Sequence, residues 1–202
     1  MRMMPGPVGW GGVMSRLLLA LVCSLAWPAW LMAAPVDIST QEHDRELELH
    51  MRVLLDAPRD VVWSTITDYE NVADWVPGMS RSEILERRPD GATVAQSGRA
   101  QVLFFGISVD VVVTVHELPP DRIRVRLLRG DLRRLEGEYR LTPIDGPGGV
   151  RLQLLEWQGR VEPASRLPGF LTRPVMRDNL RRQFEGLVSE IERRARLARG
   201  SG

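Results

Sequence analysis

The chain has 202 residues, of which 44% are hydrophobic, and its 27 basic and 26 acidic residues give a formal net charge of +1. This near-neutral balance argues against nucleic-acid binding, which relies on a strongly basic surface. Cys23 is the only cysteine, so neither an intramolecular disulfide nor a cluster of thiolate metal ligands is expected. His43, His50 and His116 lack the spacing of metal ligands, and the sequence predicts neither a metal nor another cofactor.

The N-terminal segment has the order of charge and hydropathy that an export signal requires. Arg2 and Arg16 occur there without any acidic residue, and a predominantly apolar run follows over residues 17–36. Cys23 lies inside this run without the Leu-x-Gly/Ala that precedes the cysteine of a lipoprotein signal. We therefore interpret Cys23 as a small apolar residue of the signal.

Small residues close the apolar run and indicate a signal peptidase site. Cleavage after Ala33 is favoured, because cleavage after Ala34 would leave Pro35 as the first residue of the mature chain. We predict a signal peptide over residues 1–34 and a periplasmic protein. The alternative is a retained inner-membrane anchor over residues 17–36, since about 20 apolar residues can span a bilayer.

The segment after the predicted signal begins with a strand and two helices. Between residues 45 and 55, apolar residues alternate with charged or polar ones, which is the period of a half-buried strand. The turn Asp56–Asp60 and the apolar stripe that follows it predict a first helix. A second, short helix is expected over Glu70–Trp75, because Pro77 cannot continue it and Gly78 can adopt a left-handed conformation.

Six strands separated by turn signals are predicted after Gly78. The clearest is Ile107–Val115, in which five apolar residues share one face. The last strand spans Val150–Val161, and its apolar phase slips between Leu154 and Leu155, which predicts a β-bulge. Short turns between successive strands favour an antiparallel meander over a parallel sheet.

A long amphipathic helix is predicted after Pro168, and its apolar side must lie on the sheet. The opposite face carries Arg173, Arg177, Arg181 and Arg182. We interpret these arginines as solvated, and contact with anionic lipid head groups at a membrane surface is the alternative.

The order of elements predicts an α+β fold. It consists of one strand, two short helices, six strands and a long C-terminal helix, so that a curved antiparallel sheet of about seven strands wraps around that helix. Residues 35–44 are interpreted as a short N-terminal segment, and the folded domain is expected over residues 45–198.

Several segments resemble the START-like (SRPBCC) superfamily, with its helix-grip fold, in the polyketide cyclase/dehydrase and coenzyme Q-binding branch. The matching segments are Ala57–Trp63, Thr67–Glu70, Trp75–Gly78, Leu135–Tyr139, Leu141–Pro143, Gly148–Leu152, Glu162–Pro163 and Leu167–Pro168. The resemblance implies a hydrophobic cavity between sheet and terminal helix that holds lipids, sterols, quinones or polyketides. It implies no shared catalytic signature, because one such fold hosts many activities.

Candidate ligand-binding residues are the large apolar side chains expected near this cavity: Trp75, Phe104, Phe105, Trp157, Phe170, Met176 and Phe184. For each of them, burial in an ordinary core is the alternative. Polar groups that can face the cavity are Arg99, Asp110, His116, Glu138, Glu156 and Asn179.

Glu156 and Asp110 are the candidates for acid–base catalysis. Glu156 lies beside Trp157 and the predicted bulge, where desolvation can raise the pKa of a carboxyl group. The alternative for Glu156 is an ordinary salt bridge with Arg99 or Arg124.

These patterns favour an exported, non-enzymatic protein that binds or transports a hydrophobic small molecule or lipid. The alternative is an enzyme of the cyclase/dehydratase type that acts on a polyketide-like substrate. A third hypothesis is an envelope module that binds another protein through an exposed apolar patch.

Overall fold

A computed structural model describes residues 35–43, 46–102, 105–164 and 169–200. The predicted signal peptide, residues 1–34, lies outside the described residues. Within the described residues, no helix combines the length and the hydropathy that crossing a bilayer requires.

The described residues form eight strands, two short helices, a 3₁₀ turn at Pro147–Gly149 and one long helix. In chain order these elements are β1 (Asp37–His43), β2 (Glu46–Leu55), α1 (Arg59–Ile66), α2 (Val72–Trp75), β3 (Met79–Arg88), β4 (Gly91–Val102), β5 (Phe105–Leu118), β6 (Arg122–Gly130), β7 (Leu132–Asp145), β8 (Arg151–Pro163) and α3 (Gly169–Gly200). This order confirms the predicted α+β helix-grip fold, with an antiparallel meander followed by a long helix.

All eight strands belong to one curved antiparallel sheet in the order β1-β2-β8-β7-β6-β5-β4-β3. Strand β2 pairs with β8, so the strand that precedes the helices closes the meander on the side opposite β3. The segment interpreted as a short N-terminal extension contributes β1, which pairs with β2 from Asp37↔Arg52 to His43↔Glu46. The sheet therefore has one strand more than the sequence predicts.

The core lies between α3 and one face of the sheet, here called the inner face. Strand β2 turns every second residue inward, and Leu47, Leu49, Met51, Val53 and Leu55 are all buried. From α3, the side chains of Phe184, Leu187, Val188, Ile191 and Ala195 pack on the same cluster. The alternation of β2 and the stripe of α3 thus bury two complementary apolar surfaces, which stabilises their contact through the hydrophobic effect.

The β-bulge predicted in the last strand is absent from the described strand β8. Its register with β2 and β7 runs without a shift through Leu154 and Leu155. Leu155 faces inward, whereas Leu152 and Leu154 lie half-buried on the outer face and Gln153 is buried on the inner face. The backbone of β8 therefore alternates regularly between the two faces. The slip in the sequence pattern arises because a polar residue, Gln153, occupies an inner position and apolar residues occupy neighbouring outer positions.

Candidate functional site

The inner face of the sheet, α2 and α3 enclose a cavity of about 730 Å³. Its deep walls come from strands β4 to β6, where Val94, Val113 and Val115 are almost completely buried. The predicted apolar face of the strand around Ile107–Val115 supplies Ile107, Val109, Val111, Val113 and Val115 to this wall. Helix α3 covers the opposite side with Val175, Met176, Leu180, Phe184 and Leu187.

The loop after α2 holds one side of the cavity against α3. Gly186 makes this approach possible, because a Cβ there would lie 2.4 Å from Cδ of Pro77 and 2.9 Å from the backbone oxygen of Trp75. The chain then turns at Gly78, whose φ of 81° favours glycine. The oxygen of Gly78 accepts a hydrogen bond of 2.8 Å from the backbone N–H of Arg99, which fixes the end of β4 beside this loop.

The indole of Trp157 forms part of the wall and lies over two glycines of the inner face. A Cβ at Gly137 would lie 2.7 Å from Cζ2 of Trp157, and one at Gly159 would lie 2.6 Å from the same atom. Gly137 and Gly159 are direct partners across β7 and β8. Their missing side chains therefore provide the space in which the indole lies along the sheet. Tyr139 packs beside it, with ring centroids 6.4 Å apart and tilted by 57°.

Two phenols on the cavity wall stay protonated at neutral pH. Burial raises the pKa of Tyr139 to about 12. Burial, followed by the charge of Glu117, raises the pKa of Tyr69 well above its ordinary value. The Tyr69 hydroxyl donates a hydrogen bond of 3.0 Å to Oε1 of Glu117. Neither phenol can act as a base, and both extend the neutral, largely apolar lining.

The exposed end of the cavity is more polar than its interior. Arg99, Ser108 and Asp131 line this end and are exposed. Arg99 and Ser108 are direct partners across β4 and β5. The Asp131 carboxylate accepts a hydrogen bond of 2.8 Å from the backbone N–H of Asp110. This bond ties the turn between β6 and β7 to strand β5.

Four of the seven predicted ligand-binding residues line this cavity: Trp75, Trp157, Met176 and Phe184. Phe104 lies outside the described residues. The backbone of Phe105 begins β5, and that of Phe170 lies at the start of α3. Ligand contact by any of the seven residues stays a prediction.

The two candidate acid–base residues lie away from the cavity, contrary to the orientation that the sequence suggested. Glu156 is on the outer face of β8, where its Oε1 lies 3.2 Å from Nε2 of His50. Asp110 is exposed on the outer face of β5. Strand alternation explains both positions, because the inward residues of these strands are their odd-numbered ones.

The other polar candidates divide between the two faces. Arg99 and Asn179 line the cavity. His116 and Glu138 lie on the outer face, where Nδ1 of His116 is 3.0 Å from Oδ2 of Asp90. Two hydrogen bonds from Arg124 and Arg140 hold the pKa of Glu138 below its ordinary value. Both outer-face residues therefore make polar contacts on the surface of the sheet.

Sequence reasoning missed the two tyrosines of the wall and the glycines under Trp157. Tyr139 and Gly137 are two residues apart in one strand and therefore point to the same face of the sheet. Their inward orientation could have been predicted from the alternation of β7. Within the described residues, no group of three or more histidine, cysteine or acidic side chains is arranged to hold a metal ion.

The fold and the cavity define a START-like helix-grip protein. The chain belongs to the family described as polyketide cyclase / dehydrase and lipid transport, which it matches over residues 55–188. Comparison with curated proteins gave no match.

Solved structures share the fold at low sequence identity. The Zhui aromatase/cyclase from Streptomyces sp. R1128 is 22% identical with a TM-score of 0.62, and the match covers 76% of this chain and 98% of that one. A STAR-related lipid transfer protein from Xanthomonas axonopodis is 18% identical with a TM-score of 0.62, covering 77% and 93%. A START superfamily protein from Mycobacterium smegmatis is 22% identical with a TM-score of 0.57, covering 75% and 98%. The likeness thus extends to an enzyme and to a lipid carrier.

Proposed function

We propose that the protein binds or transports a hydrophobic small molecule or lipid, held between the sheet and α3, without catalysing a reaction on it. The observation that carries this proposal is the cavity of about 730 Å³ with mainly aliphatic and aromatic walls. Small-molecule sites commonly have a volume of about 300–1,000 Å³ and a lining of this kind. The similarity to a STAR-related lipid transfer protein supports the same function.

The positions of the two candidate acid–base residues favour binding over catalysis. A cyclase or dehydratase needs an acid or base within hydrogen-bonding distance of its substrate. Glu156 and Asp110, the residues proposed for that role, lie on the outer face of the sheet. The two phenols of the wall have raised pKa values, which makes them poor proton donors at neutral pH.

The proposal includes export. Support comes from the N-terminal sequence, in which an arginine-containing segment without acidic residues precedes an apolar run and two alanines. In this reading the ligand is carried in the periplasm, by a free protein if the signal is cleaved and by a tethered one if residues 17–36 remain.

Ligand carriage is tested by extracting the purified protein with organic solvent, analysing the extract by mass spectrometry, and titrating the stripped protein with a hydrophobic dye. We expect a co-purified apolar compound and saturable dye uptake. A protein that is empty and takes up neither dye, lipid nor quinone would overturn the proposal.

Two neighbouring valines of β5 provide a matched pair of variants for this test. Val111 lines the cavity, whereas Val112 lies on the outer face. Val111→Trp should fill part of the cavity and lower dye uptake. Val112→Trp should leave uptake unchanged. Equal dye uptake by both variants would show that the dye binds outside this cavity.

A further inference from the structure

Three cavity residues carry N–H groups that have no acceptor within the described part of the chain. Nε1 of Trp75 and Nδ2 of Asn179 are buried and unpaired there. The guanidinium of Arg99 is exposed at the open end of the cavity and has no ion pair with any described carboxylate. A buried donor without an acceptor costs free energy, so the N–H groups of Trp75 and Asn179 indicate a ligand that supplies oxygen acceptors, and Arg99 offers a further donor at the opening.

The orientation of the Asn179 amide follows from its neighbour. Oδ1 of Asn179 accepts a hydrogen bond of 2.5 Å from Nη2 of Arg182. A guanidinium can only donate, so the amide oxygen must face Arg182 and the NH₂ group is the one left unpaired. The contact with Arg182 therefore fixes the amide assignment, and the unpaired group of Asn179 is a donor.

Asp131 is the carboxylate among the described cavity residues, and it already has a partner. Its Oδ2 accepts the backbone N–H of Asp110 at 2.8 Å, and its exposure lets water screen its charge. Arg99 is the cation among the described cavity residues, and no described carboxylate forms an ion pair with it.

We propose that the ligand is an anionic amphiphile. Its apolar chain lies between the sheet and α3, and the oxygens of its carboxylate or phosphate head accept hydrogen bonds from Arg99 and Asn179. This inference rests on the proposed function and specifies its ligand class. Guanidinium groups suit such a head because their planar donors match two oxygens of an oxyanion.

The test measures dissociation constants for three probes with the same tail, namely hexadecanol, hexadecanoate and hexadecyl phosphate. The protein is purified from cells that express the full chain and is stripped of co-purified ligand. Charge-assisted hydrogen bonds should make at least one anion bind about tenfold or more tightly than the alcohol. The tighter of the two anions identifies the head group.

Two variants locate the effect. Arg99→Gln should remove most of the preference for the anions over hexadecanol. Asn179→Asp replaces the donor with a carboxylate while keeping an oxygen for Arg182, and it should weaken the anions selectively. Arg126→Gln is the matched control, because Arg126 is an exposed strand arginine away from this cavity.

The outcomes separate this inference from the proposed function. Equal affinity for alcohol and anions in the unmodified protein, or an anion preference that survives Arg99→Gln, would overturn the anionic head group while leaving carriage intact. Failure of the unmodified protein to bind all three probes and the dye would overturn the proposed function itself.

Discussion

At the scale of single residues, Gly137 and Gly159 shape the cavity by leaving room for Trp157. The two positions differ in what an added methyl group would meet. At Gly137 the nearest atoms all belong to the Trp157 ring, whereas at Gly159 the backbone oxygen of Glu136 is only 2.5 Å away. A methyl group at Gly137 therefore displaces a side chain, while one at Gly159 disturbs the β7–β8 pairing as well.

We expect Gly137→Ala to push the indole of Trp157 away from the sheet and into the cavity. Overpacking of this kind costs about 1–3 kcal/mol in the free energy of unfolding. Dye affinity should fall roughly fivefold or more, equivalent to about 1 kcal/mol. Urea unfolding and dye titration measure the two effects.

Gly200→Ala is the control, because a Cβ at Gly200 meets nothing within 4 Å. Gly159→Ala should lower stability more than Gly137→Ala, since backbone atoms cannot move aside as a side chain can. Unchanged dye affinity in a folded Gly137→Ala protein would show that the indole is not part of the binding wall.

At the scale of elements, an ion-pair cluster ties the end of α3 to the loop between α1 and α2. Oε2 of Glu190 lies 2.7 Å from Nε of Arg193, and its Oε1 lies 2.6 Å from Nε of Arg194. Arg194 also reaches Asp68, with Nη2 2.7 Å from Oδ2. Hydrogen bonds from Arg193 and then Arg194 lower the pKa of the buried Glu190 to about 2.

The lowered pKa predicts a loss of stability in acid. Folding lowers the pKa of Glu190 from its ordinary value of 4.5 to about 2. The stabilisation by ionised Glu190 is therefore complete above about pH 4.5 and disappears as the pH falls towards 2. After allowance for the solvent exposure of Arg193, this contribution is about 1–2 kcal/mol. Glu190→Gln should flatten the pH dependence of the unfolding free energy over that range.

Glu185→Gln provides the control for this measurement, since Glu185 is exposed on the same helix. Urea unfolding at pH 2.5 to 6 is compared for the three proteins. If the curves of Glu190→Gln and the unmodified protein run parallel, Glu190 does not contribute to acid sensitivity.

The predicted membrane-surface face of α3 also belongs to this scale. Arg177, Arg181 and Arg182 are exposed, and Arg182 forms an ion pair with Asp178 at 2.5 Å. Contact of this face with anionic lipid stays a prediction. It concerns the outer surface of the helix, whereas the proposed ligand occupies the side that faces the sheet.

At the scale of the whole molecule, the proposed export determines where the cavity can obtain its ligand. We expect the protein to accumulate in the periplasmic fraction with an N-terminus at Ala34, measured by intact mass and N-terminal sequencing. Leu19→Arg should block export, because a charge interrupts the apolar run of the signal. Intact chain in the membrane fraction would indicate a retained anchor, and intact chain in the cytoplasm would contradict export.

The sequence by itself determined the order of elements from β2 to α3, the inward faces of β2 and β5 and the apolar stripe of α3, but not strand β1. These are properties of local periodicity, and each repeats over enough residues to be read without a structure. The family segments added the helix-grip arrangement. Four of the seven predicted ligand-binding residues consequently line the cavity.

Only the tertiary structure decided what no single segment contains. A strand has two faces, and packing against α3 decides which one is inner, so the position of Glu156 could not be predicted from its neighbours along the chain. The register of β7 against β8 places Gly137 opposite Gly159 and under Trp157. The unpaired donors of Trp75 and Asn179 likewise emerge only when all surrounding acceptors are in place, because hydrogen-bond satisfaction depends on distant segments meeting in space.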